Sequence, residues 1–269
     1  MTVKDFLENE KIYEYSILSA SEVRIIDPRR WERLFGGGAP LTVVPFLIPY
    51  KTAWDGESNI SVYAHARDYH YYFSALIERA KAVFGDGVVA ACDTSPVDEV
   101  ALARDSGLGS FGKNGLMINE RYGTYAFVAE LFFSLPEDDP VFRGIEKRHE
   151  GQFCLGCGAC VRACPTGAIQ DKTRCISYIN QKKKIDDGEE ALIRASGSVW
   201  GCDICQSVCP MNKSADETEI PFFKEERHPY LTRELVDEME RTGEFEKRAF
   251  AWRGVEVVRR NLRICQEKK

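Results

Sequence analysis

The sequence predicts an α+β chain in three parts: an N-terminal α/β unit, a cysteine-rich segment and a charged, mostly helical end. Three observations predict it. Short apolar runs alternate with amphipathic stretches over residues 1–149. Eight of the ten cysteines crowd into residues 150–215. Residues 216–269 are rich in charge and carry helical patterning. The 269 residues suffice for roughly two domains and a sizeable core, and a hydrophobic content of 44% excludes disorder. A formal charge of -6 excludes a wholly basic nucleic-acid-binding surface but leaves a local basic stripe open.

Within residues 1–149, Leu41 to Ile48 is a short apolar run between Gly36-Gly37-Gly38 and Pro49, which suits a buried strand. Ser61 to Phe84 reads as a helix with Tyr, Phe, Leu and Ile on one side. Gly87 to Cys92 reads as a second buried strand ending at Asp93. Glu99 to Ser106 is expected to be helical and to stop at Gly107 and Gly109. Leu116-Met117-Ile118 and Thr124 to Phe133 are expected to pair around a turn at Tyr122-Gly123.

The first residues have neither an apolar nor a basic leader region, and Arg29-Arg30 is followed by Trp31-Glu32-Arg33 instead of an apolar run. The longest apolar stretch, Leu41 to Pro49, is interrupted by Pro45 and too short to span a bilayer. The expectation is therefore a cytoplasmic protein without membrane contact. In that compartment clustered cysteines signal metal or redox chemistry more often than disulfides.

Cys154, Cys157, Cys160 and Cys164-Pro165 spell C-x2-C-x2-C-x3-C-P, while Cys202, Cys205 and Cys209-Pro210 spell C-x2-C-x3-C-P, with Cys175 upstream. This is the arrangement of a bacterial ferredoxin-like segment with two [4Fe–4S] clusters. Three thiolates on one tight loop grip three irons of a cube, and the fourth, before proline, serves the other cube. Cys154, Cys157, Cys160 and Cys209 are thus assigned to one cluster, and Cys164, Cys175, Cys202 and Cys205 to the other. A zinc ribbon uses two C-x2-C pairs and fits less well. Cys92 and Cys265 stand apart and read as small buried hydrophobes.

Asp93-Thr94-Ser95-Pro96-Val97, Gly107-Leu108-Gly109-Ser110-Phe111-Gly112-Lys113-Asn114, Arg174-Cys175-Ile176-Ser177-Tyr178 and the run Gly201 to Pro210 follow in this order. Together they resemble the epoxyqueuosine reductase family, as do Tyr63 to His70 and Arg260-Asn261. The resemblance spans about residues 40–265 and corresponds to a short form without the family's C-terminal helical-repeat region. It implies a reductase that converts epoxyqueuosine in tRNA to queuosine, with two [4Fe–4S] clusters and base-off cobalamin. The division implied is a cobalamin- and substrate-binding domain over 1–149, the double-cluster domain over 150–215, and C-terminal helices over 216–269 packing on the core. Asp93 matches the family's proton donor. Lys113, Asn114, Met117, Val128, Ser177 and Asp203, together with Asp93, are the cobalamin contacts that the resemblance implies. No D-x-H-x-x-G motif surrounds His65, His70, His149 or His228 to supply a cobalt ligand.

The residues also admit plainer readings. Asp93-Thr94-Ser95-Pro96 is helix-cap chemistry as well as a catalytic signature. If Asp93 ends a buried strand in a pocket, desolvation is expected to raise its pKa and keep its acid form. Lys182, Lys183, Lys184, Arg248, Arg253, Arg259, Arg260 and Arg263 either meet phosphate or form a solvated face. Over 245–269, eight basic and three acidic residues leave a net +5. Phe245, Phe250 and Trp252 are expected in the core. Where family members carry an arginine seven positions past the aspartate, this chain has Val100, and Cys164 lies closer to Cys175 than in many members. A two-cluster electron carrier without corrin, or a corrinoid reductase of a small molecule, are the alternatives. A low-potential donor such as ferredoxin or flavodoxin is the expected electron source.

Overall fold

The computed structural model describes residues 1–149 and 151–266. Its helices are α1 (Val3–Asn9), α2 (Pro28–Phe35), α3 (Tyr69–Phe84), α4 (Glu99–Asp105), α5 (Ala159–Ala163), α6 (Ile176–Ile179), α7 (Asp187–Ser196), α8 (Ile204–Ser207), α9 (Arg233–Thr242) and α10 (Val255–Gln266). Strands are β1 (Leu18–Ser19), β2 (Thr42–Pro49), β3 (Val89–Cys92), β4 (Ser110–Phe111), β5 (Met117–Ile118) and β6 (Ala126–Phe133). The class is α+β. No helix among the described residues is long and apolar enough to cross a membrane.

The main sheet runs β1-β2-β6-β3, and every pairing in it is antiparallel. The N-terminal unit is thus not built on a parallel sheet. All eight residues of β2 are buried, because both faces of the sheet are covered. Side chains alternate across the strand. Val44, Phe46 and Ile48 join Leu7 of α1 and Phe73 and Leu76 of α3 in one core. Val43 packs on the opposite face with Val97 and Leu102, and Leu47 lies there with Ala103, Leu108, Met117 and Val128.

Two local expectations change. Helix α3 begins at Tyr69, capped by Asp68, whose carboxylate accepts the His70 N–H at 3.0 Å. Residues 61–68 are drawn into distant contacts instead: Ser61 N–H donates to Trp200 O at 2.8 Å and Asp68 N–H to Lys247 O at 2.8 Å. The segments around Tyr122-Gly123 do not form a hairpin. β5 pairs with β4, β6 joins β2 and β3, and only an Asn119–Gly123 bridge spans the turn.

A second core joins the three parts of the chain. Ile60 and Ala64 meet Val199 and Trp200 of the cysteine-rich part and Val236, Phe250, Val258 and Leu262 of the C-terminal helices. Trp200 is fully buried and its indole N–H donates to the Tyr63 hydroxyl at 2.8 Å. Asn261 is equally buried and donates to the carbonyls of Asn180 at 2.7 Å and Val199 at 2.9 Å. Phe245 and Phe250 lie in this core as expected, but Trp252 is 62% exposed. Of the C-terminal charge run, Lys268 and Lys269 lie outside the described residues.

Replacing Trp200 removes the largest side chain of this junction. Trp200→Ala is expected to lower unfolding free energy by about 3–5 kcal/mol, as read by denaturant titration. A loss below about 1 kcal/mol contradicts the junction's role.

Candidate active site

All ten cysteines are free thiols. Gly156 and Gly158 take left-handed conformations, with φ of 66° and 71°, which turn the Cys154–Cys160 loop back on itself. Cys154, Cys157 and Cys160 line one small cavity with Cys209, which follows α8. Cys164, Cys175, Cys202 and Cys205 line a second, larger one. Helices α5 and α8 pack against each other. Burial pushes the Cys202 thiol up to about 11 and Cys205 up to about 12. Bound cations of a cluster are what hold such thiols as thiolates.

The second cavity is a cleft of about 590 Å³. Cys164, Cys175, Cys202 and Cys205 contribute to its lining. Tyr50 and Tyr63 of the N-terminal unit line the same cleft, as do Ser177, Tyr178 and Arg253. No histidine is among its lining residues. Tyr50 donates to Thr124 O at 3.3 Å, which fixes the ring. Asn114 borders both cavities, and its Oδ1 accepts the Leu116 N–H at 3.3 Å. Ser177 lies on the cleft and its hydroxyl accepts from Gln181 at 3.3 Å.

Five of the seven expected cobalamin contacts, Asp93 among them, do not line this cleft. Lys113 donates its ammonium to Gly156 O at 3.0 Å and lines the first cavity. Met117 and Val128 are buried against Leu47 and Leu108 in the sheet core. Asp203 is turned inward. Its Oδ1 accepts from Ser61 Oγ at 2.5 Å and Gln206 at 2.6 Å, and its Oδ2 accepts the Val62 N–H at 2.7 Å. Burial raises its pKa despite these donors. With both oxygens engaged, it ties the cysteine-rich part to residues 61–62.

Asp93 directly follows β3, where the strand was expected to stop, but it is exposed and does not line the cleft. Its φ of +64° turns the chain out of the sheet, a conformation that aspartate tolerates better than most residues. Its carboxylate accepts from the Tyr69 hydroxyl, and its N–H donates to Glu99. The Tyr69 ring stacks on Phe127 at 4.0 Å, and Phe127 packs against Tyr50 at 4.6 Å and Tyr63 at 6.5 Å. An aromatic row thus connects the Asp93 turn to the cleft wall. Burial and the adjacent Asp93 charge hold the Tyr69 hydroxyl protonated, so it remains a donor. Sequence reading passed over Tyr69, Glu99 and the fully buried Glu130. The Tyr63–His70 motif was the one signal for the tyrosine.

The basic residues divide sharply. Arg248 is 1% exposed and donates to Glu226 O at 2.7 Å. Arg259 pairs with Asp237 and Glu240, both at 2.7 Å. Arg260 donates to Lys182 O at 2.8 Å, and Lys182 itself pairs with Glu189. Lys183, Lys184 and Arg263 are exposed. Arg253 differs in its place. It borders the cleft, its Nε is buried without a hydrogen-bond partner among the described residues, and its guanidinium lies 3.7 Å from the centre of the exposed Trp252 ring.

Residues 153–212 match the family described as a 4Fe-4S double cluster binding domain, so this segment binds iron–sulfur clusters. An epoxyqueuosine reductase from Leadbetterella byssophila is 34% identical over 262 residues, covering 90% of this chain and 81% of that protein. This chain belongs to the epoxyqueuosine reductase family. The epoxyqueuosine reductase of Pseudomonas aeruginosa is 37% identical over 191 residues, 67% of this chain and 51% of its own. Among solved structures, an epoxyqueuosine reductase with an epoxyqueuosine-modified tRNA stem loop superposes with a TM-score of 0.76. That match covers 97% of this chain and 79% of the other, at 20% identity, and establishes the shared fold.

A structural Asp203 and a cofactor-contacting Asp203 predict different losses. Asp203→Ala leaves the Ser61 hydroxyl and Val62 N–H without their acceptor. It is expected to destabilise the protein by about 2–4 kcal/mol, measured by denaturant titration of the cluster-loaded protein. Unchanged stability contradicts the assignment.

Proposed function

We propose that this chain reduces the epoxide of epoxyqueuosine in tRNA to the alkene of queuosine, using two [4Fe–4S] clusters and a base-off cobalamin. One observation carries the reading. The four cysteines of a ferredoxin-type set line one cleft together with Tyr50 and Tyr63 of the N-terminal unit. An electron carrier alone has no use for such a cleft. A large, flat, partly apolar cofactor does, and the absence of histidine from its lining agrees with cobalt held without a protein imidazole. Tyr50, Tyr63, Asn114 and Ser177 are the residues that would hold the corrin.

The overall change balances simply: epoxide, two electrons and two protons give alkene and water. The bound clusters and corrin together turn single electrons into a two-electron reduction of carbon. The rest falls to the chain. Asp93 relays a proton from solvent to the departing oxygen, as a carboxyl within reach of solvent can. Its exposure suits a substrate too large to be enclosed, such as a tRNA loop. Tyr69 holds the carboxyl by donating to it. Trp252 and Arg253 offer base stacking and phosphate pairing beside the cleft. The Cys154–Cys160 loop presents the exposed Leu155 and Cys157 outward, the face that a donor such as ferredoxin or flavodoxin reaches.

The acid role is separable from cofactor binding. Asp93→Asn is expected to keep the iron, sulfide and cobalt content while lowering turnover of epoxyqueuosine tRNA by about 10²–10⁴-fold. Turnover equal to that of the unaltered protein contradicts the role given to Asp93.

A further inference from the structure

Beneath the Asp93 turn lie two carboxyl groups that the mechanism above does not use. Glu130 stands in the middle of β6, opposite Ala91 of β3 and Pro45 of β2, and is 0% exposed. Its Oε1 accepts from the Ser95 hydroxyl, while Oε2 is buried without a hydrogen-bond partner. Glu99 opens α4, and its Oε1 accepts the Asp93 N–H. The two glutamates therefore hold both ends of the Asp93–Ser95 turn, one by its amide and one by its hydroxyl.

The groups around them offer no countercharge. From β3 come Cys92 and Asp93, from the turn Ser95 and Asp98, and from α3 the Tyr69 hydroxyl. Asp98 has its own partner in Arg24 at 3.4 Å. Among the described residues no lysine, arginine or histidine pairs with Glu99 or Glu130. Two carboxylates in such a place do not both ionise, so the pair keeps protons that exposed carboxyls lose. Burial and the Asp93 charge push Glu99 up to about 8, and burial with Glu99 nearby holds Glu130 well above the carboxylate range.

We propose that Glu99 and Glu130 are positioning residues that act as one protonated clamp, docking the Asp93 turn while neutral and releasing it when the pair ionises. The reason is solvation. A buried charge beside an unpartnered oxygen must reach water, and the exposed Asp93 turn is the side that can open to admit it. Docked, the turn holds Asp93 against Tyr69; released, it no longer presents the acid at a fixed place. The clamp rests on Asp93 being the proton donor of the proposed reaction.

The sign of the pH effect follows. An unfolded chain loses the Glu99 proton near 4.5, whereas the folded chain keeps it to about 8. Folding therefore binds a proton between these values, and stability falls as pH rises through that window.

The test uses the cluster- and cobalamin-loaded protein with an epoxyqueuosine-modified tRNA stem loop. Its variants are Glu99→Gln, Glu99→Ala and Glu130→Gln. Glu99→Gln keeps an oxygen for the Asp93 amide and is expected to lose the alkaline decline in kcat that the unaltered protein shows. Glu99→Ala is expected to lower kcat on the order of 100-fold with KM little changed. Thermal unfolding gives a readout without turnover: the stability decline between about pH 4.5 and 8 should flatten in Glu99→Gln and in Glu130→Gln. An alkaline decline in Glu99→Gln equal to that of the unaltered protein, or full activity in Glu99→Ala, overturns the clamp. Should the loaded, unaltered protein fail to turn over the stem loop, the function reading fails. The unfolding curves then judge the clamp alone, and identical curves for all variants overturn it.

Discussion

The cleft depends on the bonds made by the buried carboxylate of Asp203. This residue sits between Cys202 and the helix that carries Cys205, and it accepts hydrogen bonds from Ser61, Val62 and Gln206. Those bonds bring one set of four cysteines to the same cleft as Tyr50 and Tyr63 of the N-terminal unit. Trp200 and Asn261 brace the same joint from the C-terminal side. A carboxylate with every donor inside the protein is costly to unmake, because separating the parts strands the acceptor and its partners alike. The redox segment and the cleft tyrosines therefore behave as one surface, and the space between them is a property of the fold.

Much of this was legible because it is local. Cysteine spacing encodes a loop that wraps a cluster, and no distant contact is needed to read it. The buried strand at Thr42–Pro49 and the helix at Glu99–Asp105 likewise follow from composition and flanking turns. What escaped was set by distant partners. Ser61 to Asp68 has helical composition, but Asp203, Trp200 and Lys247 claim its polar groups first. Met117 and Val128 lie on residues 110–130, yet the pleat turns both into the sheet core.

The carboxyls show the same limit more sharply. Asp93 was expected to be shielded, and it is the exposed member of the group. Glu130, which no sequence pattern marked, is the shielded one. Alternation along β6 sends its side chain inward, and only the sheet register brings it under the Ser95 hydroxyl. Basic residues divided in a way their positions in the chain could not reveal. Arg248, Arg259 and Arg260 serve the fold through carbonyls and carboxylates, whereas Arg253 lies against an exposed tryptophan with its Nε lacking a hydrogen-bond partner among the described residues.

The account turns on adjacency between the thiol set Cys164, Cys175, Cys202 and Cys205 and a corrin in the cleft. Electron paramagnetic resonance of the anaerobic protein, with cobalt in its paramagnetic state and the clusters reduced, measures that adjacency directly. Broadening or splitting of the cobalt signal, lost when Cys205 is replaced by alanine, is the expected result. A cobalt signal that stays sharp and indifferent to cluster reduction, in protein shown to contain both groups, contradicts it.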